Sequence, residues 1–159
     1  MMNKDDFEAL YASHYHKVFR LCLGYTGGHE ALAQDLTQEV FLKVWTHRNT
    51  LRDVSVLPTW LYRITVNTCL QELRKKKFLS LRTDVVEEEG SKPDERERRL
   101  QAMYRCIDRL PVPHKSIILL DLEGVSQAEI AEITGISHGA LRTRLHRIKD
   151  QLSKCVKND

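Results

Sequence analysis

Apolar side chains recur every three or four residues along most of the chain, and the alternation typical of strands is scarce. In the first predicted helix the apolar stripe consists of Phe7, Leu10, Tyr11, Val18, Leu21, Cys22 and Tyr25. The run Thr26-Gly27-Gly28 is expected to end that helix. A second helix is predicted over about residues 30–45, with inward-facing Leu32, Leu36, Val40 and Val44. These patterns favour an all-α protein.

The third predicted helix, from Pro58 to about Lys77, has two apolar faces. Proline suits the first turn, where its missing N–H is not needed. One face carries Leu57, Trp60, Leu61, Ile64 and Thr68, and the nearly opposite face carries Tyr62, Val66, Cys69 and Leu73. Between them lies a narrow polar seam of Arg63, Asn67 and Arg74. A helix buried on two sides is expected at the centre of a small bundle.

Helical periodicity is lost over residues 78–95 and returns with Leu100, Met103, Tyr104, Ile107 and Leu110. The intervening stretch contains the polar runs 87–90 and 92–93 and is predicted to be a solvated tether, with Phe78, Leu79 and Leu81 able to dock locally. Prolines at 111 and 113 then precede a helix predicted over 114–123. We therefore divide the chain into a first helical domain (1–77), a linker (78–97) and a second helical domain (98–159).

Two short helices joined by a tight turn are predicted near the C-terminus. Ser126 and Glu129 match a capping box, Gly124 suits the end of the preceding helix, and Gly135 permits the turn before the cap Ser137. The second helix has a stripe of Leu141, Leu145, Ile148 and Leu152. That stripe leaves Arg142, Thr143, His146 and Arg147 facing outward. The arrangement predicts a helix-turn-helix whose second helix enters the DNA major groove, which is about 12 Å wide.

A solvated surface helix can also carry several arginines, so the basic residues alone would not distinguish the two interpretations. The two caps and the glycine at the turn favour the DNA-binding interpretation. Arginine can pair with guanine through two hydrogen bonds, and threonine can contact a thymine methyl group. Arg144 points sideways from this face, towards phosphate or towards another helix, and its role is the least defined.

Composition limits the class of protein. A hydrophobic content of 42% and a charged content of 30% are typical of a soluble globular protein. The apolar run from Ile117 to Leu120 is far too short to span a bilayer, and the first ten residues lack a signal-peptide stretch. We therefore expect a cytoplasmic protein without membrane insertion. The formal net charge of +3 gives only weak attraction to phosphate, which suggests that a partner helps to hold the protein on DNA.

The remaining candidate chemistry is sparse. The cysteines at 22, 69, 106 and 155 form no CxxC pair, and we interpret them as reduced core or surface thiols. The spacing of His14, His16 and Cys22 matches no familiar zinc site. Gly27-Gly28 lacks the following Lys-Ser/Thr of a phosphate-binding loop. The sequence thus predicts neither an enzyme nor a metal or other cofactor.

Three segments, in order, resemble extracytoplasmic-function (ECF) bacterial sigma factors. Residues 110–111, 123–124, 126–132 and 142–147 resemble sigma region 4. Residues 35–45 are similar to the region 2 helix that docks on core RNA polymerase, and residues 60–67 to the helix that recognises the −10 element. The resemblance implies two helical domains joined by a linker, and a protein that binds core polymerase and directs promoter-specific initiation.

The resemblance also implies roles for individual residues. The residues that would contact the −35 element are Arg142, Thr143, Arg144, His146 and Arg147. The −10 element would be contacted by Arg63, Asn67 and Arg74, with the loop 49–55 shaping a pocket for an extruded base. Asp35, Gln38 and Glu39 would face core polymerase, where region 2 binds the β′ clamp helices and region 4 the β flap. An anti-sigma protein that covers the polymerase-binding surfaces is the further partner implied.

Other interpretations of the same residues stay open at this point. The strip at 35–39 can be an ordinary solvated face. Asn67 can form hydrogen bonds to a loop within the bundle. Core packing is a better explanation than base stacking for Trp45, Trp60 and Tyr62. A DNA-binding response regulator or repressor would bind two symmetric half-sites without polymerase. An adaptor would use residues 35–45 to bind a helical partner and would not need the basic helix.

Overall fold

The computed structural model describes residues 2–51, 53–79 and 94–158, and for residues 54 and 76–79 it describes the backbone only. Its helices are α1 (Lys4–Tyr25), α2 (Glu30–Thr46), α3 (Leu57–Leu79), α4 (Glu95–Asp108), α5 (Val112–Leu122), α6 (Gln127–Thr134) and α7 (His138–Asn158). Two 3₁₀ turns, Arg48–Thr50 and Val54–Val56, connect α2 to α3. No strand occurs in these ranges, so the all-α prediction is confirmed.

Local sequence signals fix most helix ends. Asn3 and Asp6 form a reciprocal capping box at the start of α1, where the Asp6 N–H donates to Asn3 Oδ1 over 2.8 Å. The Ser126 hydroxyl accepts the Glu129 N–H at the start of α6, as predicted. Gly135 ends α6 at a φ of 76°, a left-handed conformation that glycine adopts without strain.

Helices α1, α2 and α3 form the first bundle, which we call the N-terminal block. Leu61, Val66 and Cys69 of α3 are buried together with side chains of α1 and α2, while Trp60 and Ile64 are partly buried. Helix α3 is therefore covered on both predicted faces, whereas Arg63, Asn67 and Arg74 of its polar seam are exposed. Thr37, Thr65 and Thr68 are also buried, and each hydroxyl donates to the carbonyl oxygen four residues earlier.

Helices α4 to α7 make up the C-terminal block, and its buried apolar residues are continuous with those of the N-terminal block. The predicted stripe Leu141, Leu145, Ile148 and Leu152 is buried against α5 and α6. Helix α7 continues to Asn158, six residues beyond Leu152, the last member of the predicted stripe. Leu100, expected to face inward, is instead 47% exposed because α4 begins at Glu95 and its first turns project away from the block.

The two blocks pack against each other through α1 with α4 and α5, and through α3 with α6. Within this interface Gly24 of α1 faces Leu119 of α5. Beside it, the hydroxyl groups of Tyr25 and Ser116 share a buried hydrogen bond. The sequence did not predict this contact. The predicted tether falls mostly on residues 80–93, including Leu81 and the runs 87–90 and 92–93, which lie outside the described residues.

The interpretation of all four cysteines as reduced thiols was wrong for one pair. Cys106 of α4 and Cys155 of α7 form a disulfide across 49 residues of sequence. The two helices cross at this point and bring the cysteines to a Cα–Cα distance of 5.9 Å, which sequence spacing could not reveal. Cys22 and Cys69 are free, as predicted, and lie buried with their sulfur atoms 3.7 Å apart.

Candidate nucleic-acid interface and neighbouring surfaces

A basic face runs along the first half of α7. Arg142, Thr143, Arg144, His146 and Arg147 are all exposed, because the buried stripe of the same helix packs against α5 and α6. Four of them line a groove of about 500 Å³, together with Gln127 and Lys149. Arg144 does not line this groove, which agrees with its expected sideways direction. The face is open, concave and positively charged, so it can accept an anionic, elongated ligand.

Lys149 and Gln127 were not singled out from the sequence. Lys149 lies 3.0 Å from Asp121 of α5, and this ion pair links the middle of α7 to α5. Gln127 is the first residue of α6 and reaches the groove from the opposite side. Their position depends on how α5, α6 and α7 cross, and no local pattern encodes that crossing.

The polar seam of α3 is exposed at Arg63, Asn67 and Arg74. Their spacing of four and seven residues places all three on one side of the helix. Arg63 is engaged: its Nη2 lies 3.8 Å from Glu132 Oε1 and donates to the Glu132 carbonyl oxygen over 3.4 Å. No hydrogen bond of Asn67 within the bundle is seen among the described residues. The structure thus brings the predicted seam together and covers one end of it with α6.

The loop 49–55 overlaps the 3₁₀ turns Arg48–Thr50 and Val54–Val56. Its residue 52 lies outside the described residues. Asp53 Oδ1 accepts the Ser55 N–H over 2.9 Å, and hydrogen bonds from the Ser55 backbone and hydroxyl lower the pKa of the Asp53 carboxyl. Arg48 stacks over the ring of Trp45 at 3.9 Å and donates to the Trp45 carbonyl oxygen, which anchors the start of the loop to α2.

The predicted strip of α2, consisting of Asp35, Gln38 and Glu39, is exposed. Glu39 lies 3.5 Å from Lys43, which also donates to Thr68 and Gln71 of α3. Lys43 therefore ties α2 to α3 and partly neutralises the strip at Glu39, whereas Asp35 has no ion pair among the described residues.

An aromatic groove adjoins this strip and was missed in the sequence. It lies between α1 and α2, has a volume of about 490 Å³ and is lined mainly by Phe7, Tyr11, Phe41, Leu42 and Trp45. Leu42 is 65% exposed, which is unusual for leucine. The sequence did contain a signal for this groove, since Leu42 lies off the inward-facing stripe of α2. Only the packing of α1 against α2 shows that the neighbouring aromatic rings form a groove.

No group of three or more metal-ligating side chains is found within residues 2–51, 53–79 and 94–158. Within the same ranges, no helix has both the length and the apolar character needed to cross a membrane.

Comparison with known proteins gives consistent matches. The model of sigma-70 region 2 matches residues 10–78, and that of sigma-70 region 4 matches residues 100–152. The sigma factor SigV of Bacillus subtilis (strain 168) is 33% identical over 135 residues, covering 84% of this chain and 81% of that protein. The ECF sigma-E factor of Escherichia coli (strain K12) is 30% identical over 166 residues, covering 94% and 86%.

A solved structure shares the fold. The sigma factor RpoE of Bartonella quintana, in complex with the anti-sigma factor NepR, superposes with a TM-score of 0.76 at 22% identity. The match covers 97% of this chain and 98% of that one.

Proposed function

This chain belongs to the ECF sigma factors, which direct promoter-specific transcription initiation, and we propose on that premise how its exposed surfaces divide the work. The C-terminal block recognises duplex DNA at the −35 element. The N-terminal block binds core RNA polymerase and recognises the −10 element. The helix-turn-helix and the polar seam of α3 lie on different blocks, which suits recognition of two separate DNA elements.

The basic face of α7 is the proposed −35 interface. An α-helix fits the major groove, and Arg142 and Arg147 can each form paired hydrogen bonds with guanine. Thr143 can contact a thymine methyl group, while His146 and Arg144 would contact phosphates. The observation that carries this proposal is that one side of α7 is buried while every basic residue in its first half is exposed.

The seam of α3 is the proposed −10 interface. Arg63 and Arg74 offer positive charge to the strand backbone, and Asn67 between them offers an amide that can pair with a base edge. A base taken out of the stack must be captured in a pocket to offset a cost of a few kcal/mol. The loop 49–55, whose start is anchored through Arg48 and Trp45, would form part of such a pocket.

The acidic strip and the aromatic groove of α1 and α2 form the proposed core polymerase interface. Together they give an exposed apolar centre beside charged residues, which is the composition of protein–protein interfaces. The helical partner would be the β′ clamp helices, and the C-terminal block would contact the β flap. An anti-sigma factor would inhibit the chain by covering these same surfaces, as a protein of that kind is bound to the structural relative.

Transcription with purified core polymerase on a genomic library tests the proposal. We expect start sites that appear only when the chain is added, preceded by two dissimilar elements, together with copurification of the chain and core enzyme. Tight binding to a symmetric duplex site in the absence of core polymerase would instead indicate a repressor. Transcription that survives charge reversal at Arg142 and Arg147 would exclude a role for the basic face.

A further inference from the structure

The disulfide between Cys106 and Cys155 joins a weakly anchored helix to the end of α7. The buried residues of α4 are Ala102, Cys106 and Ile107, whereas residues 95–101 are all exposed. Three side chains bury little apolar area for a helix of 14 residues. The covalent link to α7 therefore contributes a large part of what holds α4 in place.

The two cysteines of this pair differ in their access to solvent. Cys106 is 2% exposed, whereas Cys155 is only partly buried and follows the exposed Lys154 near the end of α7. Thiol–disulfide exchange begins when a thiolate attacks one of the two sulfur atoms, and access helps to decide which one. A thiol from solution therefore attacks the Cys155 sulfur, and the Cys106 sulfur is the leaving group.

The Arg109 guanidinium lies beside the accessible member of the pair. Its Nη1 is 3.7 Å from Cys155 Sγ, and Arg109 caps the same helix end that carries Cys106. In the reduced pair, the unpaired carbonyl groups at the end of α7 disfavour an anion on Cys155. A neighbouring cation has the opposite effect and favours the thiolate, which is the reactive form of cysteine. Arg109 thus makes Cys155 the reactive thiol of the two.

Cys22 and Cys69 are the internal contrast to this pair. Their sulfur atoms are also close, at 3.7 Å, but the residues are 0% and 1% exposed in the core of the N-terminal block. Reagents in solution reach sulfur atoms buried to this degree only when the bundle opens. Proximity alone therefore does not make a reactive pair, and Cys106 with Cys155 has an accessible sulfur and a cation in addition.

We propose that Cys106 and Cys155 form a reversible thiol–disulfide site, which small thiols reduce and hydroperoxides reoxidise, and whose redox state sets the order of α4. A partner of core polymerase works where thiol reductants keep cysteines reduced, and disulfides formed there are usually transient. That step rests on the proposed function, whereas the chemistry of the pair does not.

Reduction takes two exchange steps. A small thiolate, such as that of glutathione, attacks Cys155 Sγ, the S–S bond breaks, and Cys106 Sγ leaves with the electron pair and takes up a proton. A second small thiolate attacks the small-molecule sulfur of this mixed disulfide and releases the Cys155 thiolate. Two small thiols have then become one small disulfide, and the protein has gained two electrons.

Reoxidation uses a hydroperoxide as the electron acceptor. The Cys155 thiolate attacks one peroxide oxygen, the O–O bond breaks, and the leaving oxygen takes up a proton from solvent as water or an alcohol. Cys155 is then a sulfenic acid. The Cys106 thiol attacks its sulfur, the S–O bond breaks, and the hydroxyl group leaves with the thiol proton as water. The disulfide is restored, and the peroxide has accepted the two electrons.

Redox cycling of the full chain tests reversibility. The folded protein would be held in a reducing glutathione buffer and then treated with hydrogen peroxide. Free thiols would be labelled after denaturation and mapped by mass spectrometry. Cys106 and Cys155 should be thiols in the buffer and a disulfide after peroxide, while Cys22 and Cys69 stay thiols throughout. A pair that remains oxidised in the buffer would refute the proposal, as would peroxide that links Cys22 to Cys69 instead.

Substitution of Arg109 tests its positioning role. In a Cys106→Ser background, trapping of the sulfenic acid measures how fast Cys155 reacts with hydrogen peroxide. Arg109→Gln should slow this reaction by roughly three- to fivefold, the effect of losing one charge-assisted contact at an accessible site. Arg109→Lys should restore most of the rate. Arg98→Gln is the matched control on an exposed part of α4. Equal rates for Arg109→Gln and Arg98→Gln would exclude a role for Arg109.

Amide hydrogen exchange tests the consequence for α4. Reduction of the wild-type chain should accelerate exchange in α4 and in the last turn of α7, and leave α2 unchanged. Cys106→Ser/Cys155→Ser should resemble the reduced wild type and should not respond to reductant. If the reduced and oxidised wild-type chains exchange equally in α4, the redox state does not set the order of that helix and the proposal is wrong.

Transcription assays separate this inference from the proposed function. If the chain directs initiation with core polymerase but its disulfide resists the glutathione buffer, only the redox site is wrong. If the pair cycles and α4 responds, but no start site depends on the chain, the redox site stands as a property of the protein and the proposed function is wrong.

Discussion

Substitution of Gly24 by alanine should separate the two blocks without a change of charge. Gly24 is buried in α1, and a Cβ atom at this position would lie 2.0 Å from Leu119 Cδ2, 2.9 Å from Cδ1 and 3.0 Å from Cγ. Because three atoms of the same side chain are involved, a small rotation of one methyl group cannot relieve the overlap. Leu119 belongs to the other block, so the overlap exists only while the blocks are packed together.

Two terms contribute, and only the first differs between the packed and the separated blocks. Extra volume in a well-packed contact costs about 1–3 kcal/mol, and this cost applies only to the closed arrangement. Alanine stabilises a helix interior by about 1 kcal/mol relative to glycine, and this gain applies to α1 in both arrangements. The equilibrium between packed and separated blocks should therefore shift towards separation by about 1–3 kcal/mol, or roughly 5- to 150-fold.

Small-angle scattering and amide hydrogen exchange of the full chain measure this shift. Gly24→Ala should increase the radius of gyration and the exchange rates of amides where α1 meets α5. Gly139→Ala is the matched control, because Gly139 lies in α7 and an added Cβ there meets no atom within 4 Å. A wild-type scattering profile for Gly24→Ala would contradict the predicted separation of the blocks, as would an equal expansion of the chain by Gly139→Ala.

Three further results are expected. Arg142→Ala or Arg147→Ala should reduce discrimination between −35 sequences by about 1–3 kcal/mol in competition gel shifts of the holoenzyme. An equal loss of affinity for every duplex would instead indicate that these arginines contact only phosphates. Cys106→Ser or Cys155→Ser removes the disulfide that closes a loop of 49 residues, and should lower the free energy of unfolding by roughly 4 kcal/mol in urea titrations. Reduction of the wild-type disulfide should lower it by the same amount. Asp35→Lys should weaken binding to core polymerase. Because Asp35 is exposed, the free energy of unfolding should stay within about 0.5 kcal/mol of the wild-type value. Unchanged affinity for polymerase would contradict the proposed role of Asp35.

Features encoded by neighbouring residues were predictable from the sequence. The Ser126 cap of α6, the glycine at 135 and the stripe that begins at Leu141 each involve residues a few positions apart, so the chemistry of the local backbone determines them. The exposure of the basic face followed directly, because a helix with one buried stripe must present its other side to solvent.

Features that join distant residues were not predictable in this way. Arg20 and Glu123 are 103 positions apart, and each looks like an ordinary surface charge in its own helix. The disulfide between Cys106 and Cys155 depends on the crossing of α4 and α7. The aromatic groove around Leu42 likewise needs α1 beside α2. Helix crossings depend on the shapes of whole interfaces, and periodicity within one segment does not contain them.

Selection from a randomised promoter library with core polymerase tests the division of labour between the blocks most directly. The sequences that support initiation would be determined for the wild-type chain, for Arg142→Ala and for Asn67→Ala. We predict that Arg142→Ala relaxes base preference only in the upstream element, and that Asn67→Ala relaxes it only in the downstream element. If both variants altered the same element, or if neither altered base preference, the assignment of one DNA element to each block would be contradicted.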